Sequence, residues 1–459
     1  MFGMDSRGIA TVAVVIVVVS TAGGVATPVI VDTIDVDPES PFYGLERIGE
    51  GMKEAVLGGQ GFDIALAEER VKEFKVMNER GKSTAYLGLV DEAEDRMASA
   101  VKRAGDERGL VKAAEAVKVH LAVLENVREK VPEEAKVALG LAISRSSRSA
   151  LILAELKAGK LAKEKVGELI DAVKENVEKM KEEVKILPVA TAAQTIEKKT
   201  VEDLLDGLKD VTDPQPYIDV IEMTGKKLMK VVERVEEIAE KNENVQRGLE
   251  MAKEAISKHL LVLENVYARV PEAARPAIAL AITHSTKAIE VISAVEAGVI
   301  PATALEERID VAEEEIEKLR EEVEENLKTQ RSVEVAYNVN LMVVERLSEK
   351  IEELPEKAKL LVQPIVVKIP NIARDVRSPE ALQRAIAVSE KSLKIIENIP
   401  ENLRVEFENV ISWLQSYTSA LNTIAGEVST ITNWEEKMKS EMETVAISPM
   451  LTKAVYPTA

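Results

Sequence analysis

The chain has 459 residues, of which 46% are hydrophobic and 31% are charged, so it holds enough apolar side chains to bury a core. It contains no cysteine and only three histidines, which excludes disulfides, thiolate zinc sites and a cysteine nucleophile. The formal net charge is −20, and this surplus of acid argues against a groove for nucleic acid.

An uncharged segment at residues 8–31 opens the chain, with its most apolar run at residues 9–19. Small residues follow at 20–26, a layout typical of a cleaved secretory signal. Two alternatives stay open, namely an uncleaved membrane anchor and a filament helix released by prepilin-type processing after Arg7. All three place the rest of the chain outside the cytoplasm, and we expect membrane contact only through residues 8–31.

Two motifs follow this segment. Residues 37–47 read DPESPFYGLER, and residues 67–71 read AEERV. Together they resemble a family of uncharacterised extracytoplasmic helical domains of archaea and bacteria, in which a D-x-x-S-P-F-Y-x-L-x-R opening follows a signal sequence. The resemblance covers roughly residues 35–105. It implies a helical, exported domain of unknown function and supplies no activity and no catalytic residue.

The chain repeats itself at an offset of 139 residues. His120–Val127 reads HLAVLENV, and His259–Val266 reads HLLVLENV. A Val-Pro-Glu element follows each copy at the same offset, which marks a duplication. The duplication predicts that residues 107–186 and 246–325 contain the same three helices in the same order.

Apolar residues recur at helical spacing, and no convincing strand alternation follows residue 31. We therefore predict an all-α fold of duplicated antiparallel helical hairpins or bundles with long amphipathic helices. The segments 137–144 and 276–283 carry no charge, which predicts a buried central helix in each copy. The run 360–369 is ambiguous, although Pro364 argues against a central strand.

The repeats suggest a domain organisation. The predicted segments are a signal peptide or membrane anchor at 1–31, helical repeat unit 1 at 32–200, helical repeat unit 2 at 201–330, a degenerate third unit at 331–445 and a tail at 446–459.

The three histidines offer little chemistry. His120 and His259 occupy equivalent repeat positions, and their spacing from Glu125 and Glu264 is poor for shared metal ligation, so we expect packing or hydrogen bonding there. We expect the repeated glutamates to bind the backbone or a neighbouring helix. His284 replaces an arginine of the first copy, which predicts a polar surface position.

The region from 410 to 432 is almost free of charge and holds Trp413 and Tyr417, with Trp434 just beyond it. Two interpretations are open. The aromatic residues form either the core of the last helical unit or an interaction surface, since aromatic side chains are enriched where proteins bind.

These observations favour a non-catalytic protein that acts as a structural or protein-interaction module at the cell envelope. The expected partners are other proteins or further copies of this chain. No cofactor, metal or catalytic residue is predicted, because the sequence carries no P-loop and no HExxH motif. The alternative function is an extracytoplasmic module that binds a ligand or an ion.

Overall fold

A computed structural model gives the architecture and describes residues 16–19, 27–30, 37–40, 43–443 and 445. From residue 43 onwards the described chain is helical, as the sequence predicts. The helices are α1 Tyr43–Leu57, α2 Gln60–Glu79, α3 Leu87–Lys102, α4 Glu107–Arg128, α5 Glu133–Lys157, α6 Val166–Val184, α7 Val189–Leu208, α8 Ile218–Glu240, α9 Val245–Arg269, α10 Arg275–Glu296, α11 Leu305–Asn326, α12 Ser332–Glu353, α13 Ala358–Arg374, α14 Pro379–Glu397, α15 Glu401–Arg404, α16 Glu408–Gly426 and α17 Trp434–Glu443.

Two short strands lie in the N-terminal segment, β1 Ile16–Val19 and β2 Thr27–Ile30. They pair antiparallel, with Ile16 opposite Ile30. Valine and isoleucine dominate this run, and β-branched side chains favour extended backbone. The remainder of residues 8–31 lies outside the described residues.

The chain divides into two compact units, Met1–Ala135 and Lys136–Ala459. The division falls inside the predicted segment 32–200, and the boundaries at 200 and 330 stay predictions. The predicted tail at 446–459 lies outside the described residues.

The first unit is built on a hairpin of α2 and α3, joined by a short turn, with α4 packed against both. The apolar stripes of these helices face one another, as amphipathic helices require. Its fully buried side chains include Leu66, Phe74, Met77, Val90 and Met97.

The second unit repeats one packing pattern. A hairpin of α7 and α8 is followed by α9, α10 and α11, and a hairpin of α12 and α13 is followed by α14, α16 and α17. The central helix α10 packs against α8, α9, α11, α12 and α13. One continuous apolar core runs from α7 to α17, and it also takes in Ala154 of α5.

The duplication is confirmed in the order of the helices. Helices α4, α5 and α6 of the first copy correspond to α9, α10 and α11 of the second. Short 3₁₀ turns at Lys163–Lys165 and Ala302–Ala304 lie 139 residues apart, and the helices that follow begin at Val166 and Leu305 with the same offset. The turn therefore recurs at the same repeat position although its residues differ, Lys-Glu-Lys in the first copy and Ala-Thr-Ala in the second.

The two helices predicted to be central are largely buried. In the described chain the segments Glu133–Lys157 and Glu272–Glu296 are long and apolar enough to cross a membrane, by length and composition only. Within the protein, 78% and 83% of their most apolar windows are buried. This burial matches the central position that the absence of charge predicts.

The ambiguous run 360–369 is helical and lies within α13, with Pro364 and Pro370 inside the helix. Proline removes a backbone hydrogen bond and costs helix stability, so tertiary packing must hold this helix. The apolar side chains supply it, since Leu361, Ile365 and Val366 are fully buried.

Replacing Ile282 by valine should lower the free energy of unfolding by about 0.5–1.5 kcal/mol, because Ile282 is fully buried in α10 and the lost methylene leaves a void. Ile186 is 86% exposed and offers the matched control, since the same change there removes no core contact. Thermal melts of the two variants measure the difference. Equal melting temperatures would contradict a central role for α10.

Candidate functional site

The two sequence motifs meet in the first unit. Tyr43 and Arg47 of the first motif lie on α1, and Arg70 of the second lies on α2. The Tyr43 hydroxyl donates to Glu73 at 2.9 Å, and Arg47 donates to Glu92 of α3 at 2.5 Å. The motif residues therefore bind α1 to the hairpin of α2 and α3.

Arg70 is the centre of this network. Its side chain is 0% exposed and binds Glu50, Glu73 at 2.6 Å and, more weakly, Glu92 at 3.4 Å. Its guanidinium carbon also lies 6.0 Å from the centre of the Tyr43 ring. Burial raises the pKa of Glu73, while the hydrogen bond from Arg70 opposes that rise. A buried arginine needs such partners, because an isolated charge in a protein interior is costly.

Three carboxylates in this region approach one another. Glu46, Glu50 and Glu69 each bring an oxygen within 4.8 Å of the other two, a spacing that would suit a cation. Burial and the nearby Glu50 raise the pKa of Glu69 to about 7. Arg70 already binds Glu50, however, and its positive charge opposes a metal ion beside that carboxylate.

The acidic residues before α1 have basic partners. Asp37 binds Arg80, and Glu39 binds both Arg80 and Lys82. The hydrogen bond from Arg80 lowers the pKa of Asp37. These exposed pairs hold the start of the domain against the end of α2.

The histidines make hydrogen bonds, as predicted for two of them. His120 Nε2 lies 2.7 Å from Glu94 Oε1, and His259 Nδ1 lies 2.6 Å from Ser285 Oγ. Burial lowers the pKa of His259 to about 3, so this ring is neutral at pH 7. The carboxylate beside His120 is therefore that of Glu94 on α3, and not that of Glu125 on its own helix α4.

The prediction for His284 is wrong, because this side chain is buried at 3% exposure. It lies on α10 where α8 approaches closely at Gly225. A Cβ atom added to Gly225 would lie 2.8 Å from the His284 ring. The missing side chain on α8 therefore makes room for the imidazole.

The second unit buries a larger polar network between α9, α10, α12 and α13. Tyr267 donates to Asp375, and Arg275 binds the same carboxylate. Asn340 donates to the Tyr267 hydroxyl at 3.0 Å and accepts from Lys368 at 3.0 Å. All five side chains lie in the interior.

A second branch of the network contains the repeated glutamate of α9. Glu264 Oε2 accepts from Asn371 of α13, and Arg374 donates to Asn371 at 2.7 Å. The prediction that Glu264 binds a neighbouring helix is thus confirmed, whereas its counterpart Glu125 is exposed. Burial raises the pKa of Glu264 and lowers the pKa of Lys368.

The network residues not predicted from the sequence are Asn340, Lys368 and Asp375. A signal existed for one of them, since Lys368 is the only charge in the apolar run 360–369. A lone charge on the buried face of a helix needs an internal partner. Neither Asn340 nor Asp375 is a lone charge within an apolar run, so the sequence gives no comparable signal for them.

The network joins the second copy of the repeat to the hairpin that follows it. Arg275 belongs to α10 and Asp375 follows α13, so their contact at 2.5 Å ties the two elements. Burial raises the pKa of Asp375 to about 6, and the Arg275 charge opposes the shift. The charged groups bind one another, and this pairing offsets part of the cost of burying them.

The aromatic residues near the C-terminus lie mostly in the core. Trp413 is 6% exposed and Tyr417 is 3% exposed, and their ring centroids are 5.3 Å apart. The Tyr417 hydroxyl donates to the carbonyl of Ile369 at 3.2 Å. Only Trp434 is half-buried, and it packs against the same core. The burial of Trp413 and Tyr417 agrees with the core interpretation, and an interaction surface at these aromatic residues stays a prediction.

The fold and these networks define an all-α protein with tandem helical copies. Residues 35–134 match the family described as "Domain of unknown function (DUF5667)", which confirms for this segment the resemblance to a family of unknown function. No curated protein matches the sequence. A solved structure titled "Circular tandem repeat protein with novel repeat topology and enhanced subunit contact surfaces" aligns over 90% of this chain and 95% of that one. The identity is 15% and the TM-score 0.22, too low for any inference about this chain.

Proposed function

We propose that the chain is an exported, non-catalytic helical-repeat protein that acts as a structural or protein-interaction module at the cell envelope. The observation that supports this most is the use of buried charge. In the described residues, Arg70, Arg275 and Lys368 bind side chains of neighbouring helices. Their role is to fix how helices pack, which is what a scaffold requires.

The outer helices would meet the partner. Helix α11 buries a stripe that includes Ile309, Ile316 and Val323, and its opposite face is acidic and solvated. The net charge of −20 disfavours nucleic acid, so the proposed partner is another protein or a second copy of the chain.

Export rests on the uncharged residues 8–31, through which any membrane contact would run. The composition agrees with an envelope protein from a hot environment, since it is rich in Glu, Lys, Val and Ile and has no cysteine. The proposed export is the same whether residues 8–31 are a cleaved signal, a membrane anchor or a filament helix.

Cell fractionation with terminal sequencing tests the location. We expect the protein outside the cytoplasm, with a mature start near Gly23 or Thr27 if the signal is cleaved. A variant lacking residues 8–31 is the control and should stay in the cytoplasm. Full-length cytoplasmic protein beginning at Met1 would refute export.

Cross-linking in intact cells tests the interaction role. Lys318 lies on the exposed face of α11, with a side chain that is 66% exposed, and suits an amine-reactive reagent. We expect cross-links from this helix to another protein or to a second copy. A chain that forms only internal cross-links would refute the interaction module and leave the structural role.

A further inference from the structure

A cleft lies beside the central helix of the second copy, where α8 and α11 both pack on α10. Its volume is about 210 Å³. The walls are mainly apolar, and they include Ile218, Ile221, Ile278, Ala281, Val323 and Leu327.

His284 supplies a polar group to this apolar cleft. Its Nδ1 lies 3.2 Å from the carbonyl oxygen of Ala281, so Nδ1 carries the proton and donates. Its Nε2 has no hydrogen-bond partner within the part of the chain that the structure describes. Burial lowers the pKa of His284 to about 4, which keeps the ring neutral at pH 7. Nε2 is therefore an acceptor without a donor.

Most charges at the mouth of the cleft pair with one another. Arg320 binds Glu222 at 2.7 Å and approaches Glu317 at 3.6 Å. Lys226 also binds Glu222, at 3.2 Å. Glu324 is a further carboxylate of the lining, but it is exposed to solvent, where a charge adds little binding energy. A ligand that bound the paired charges would have to displace an ion pair, whereas a neutral ligand would not.

The first copy differs from the second at several positions of this cleft. At the same repeat offset it has Arg145 in place of His284, Lys185 in place of Glu324 and a proline in place of Leu327. The apolar positions of α10 are similar in both copies, since Ala277 and Ala281 match Ala138 and Ala142. The α8 wall, with Ile218 and Ile221, lies outside the duplicated segments, so the first copy does not repeat this cleft.

We propose that this cleft binds a neutral, single-ring molecule carrying one hydroxyl or N–H group, which donates a hydrogen bond to Nε2 of His284. The size fits, because an apolar cavity of about 150 Å³ holds benzene and this cleft is somewhat larger. The inference goes beyond the interaction role proposed above and does not depend on it.

Titration of the full chain with phenol and with toluene tests the proposal by calorimetry or ligand-observed NMR. The two probes have nearly the same shape, and only phenol donates a hydrogen bond. We expect saturable binding of both, with phenol tighter by roughly two- to tenfold, the usual effect of one hydrogen bond. Absence of saturable binding, or equal affinity for the two probes, would overturn the proposal.

Two variants locate the binding. Ala277→Leu fills the cleft from a half-buried position and should reduce the affinity for both probes by tenfold or more. Ala274→Leu, at a half-buried alanine one turn earlier and outside the cleft, is the matched control and should leave both affinities unchanged. Unchanged phenol binding by Ala277→Leu would place the probe elsewhere and refute the site.

His284→Phe tests the hydrogen bond itself. This variant keeps a ring but loses the acceptor, so phenol should bind about as weakly as toluene. Retained toluene binding would show that the cleft is intact. A preference for phenol that survives this change would contradict the assigned role of Nε2.

Discussion

Replacing Lys368 by methionine should lower the free energy of unfolding by about 3–5 kcal/mol, the cost of leaving a buried partner charge uncompensated. Lys368 is 0% exposed, and its ammonium donates to Asn340 at 3.0 Å. Its positive charge also lowers the pKa of Glu264, which burial raises. Methionine fills similar space but leaves the Glu264 carboxylate without that charge.

The double variant Glu264→Gln with Lys368→Met provides the control. Both charges of the pair are then absent, and replacing a buried pair by neutral side chains is often close to neutral for stability. We therefore expect the double variant to unfold near the denaturant midpoint of the unchanged protein. If the double variant were as unstable as Lys368→Met, lost packing rather than charge would be responsible.

The cost of Lys368→Met should also depend on pH. Burial raises the pKa of Glu264 from 4.5 to about 7 in the folded protein. The folded state therefore holds a proton that the unfolded state has lost, and the contribution of Glu264 to stability falls as pH rises through that window. At pH 5 the carboxyl is neutral and needs no cation. The variant should then lie closer to the unchanged protein than at pH 7.5, and equal differences at both values would contradict this account.

Replacing Arg70 by methionine should destabilise the first unit by about 3–5 kcal/mol, because Glu50 and Glu73 would lose their shared buried cation. The effect should appear first in α1, since this network binds α1 to the hairpin. Hydrogen exchange of the α1 amides measures it, and we expect loss of protection there while the helices of the second unit keep theirs.

Arg80→Met is the matched control for Arg70. Arg80 also binds two carboxylates, those of Asp37 and Glu39, but it does so in solvent. Exposed ion pairs contribute little to stability, so protection of the α1 amides should hardly change. Similar effects of the two substitutions would show that burial of Arg70 does not matter.

The helices and their order follow from the sequence because they depend on local information. Three features can be identified directly from the sequence: the 139-residue offset, the Val-Pro-Glu elements and the charge-free segment 276–283. Each of them specifies where a helix begins or which helix is central. The 3₁₀ turn at Ala302–Ala304 shows that even details of these junctions repeat.

The polar contacts could not be predicted, because they depend on which helices become neighbours. His284 is buried only because Gly225 of α8 lies against it, 59 residues earlier in the chain. Asp375 meets Tyr267 across 108 residues. Composition was equally uninformative about Trp413, since an uncharged aromatic segment suits both a core and a binding surface.

The packing of α10 against the next hairpin, α12 and α13, determines how the second unit comes apart. Because α10 and this hairpin bury one another, we expect the loss of either group of helices to expose an apolar face of the other. At the C-terminal edge α17 packs on α13 and α16, with Met438 buried and acidic residues facing outwards. Within the described residues this short helix covers the apolar edge that α13 and α16 form, and we expect its release to expose that edge.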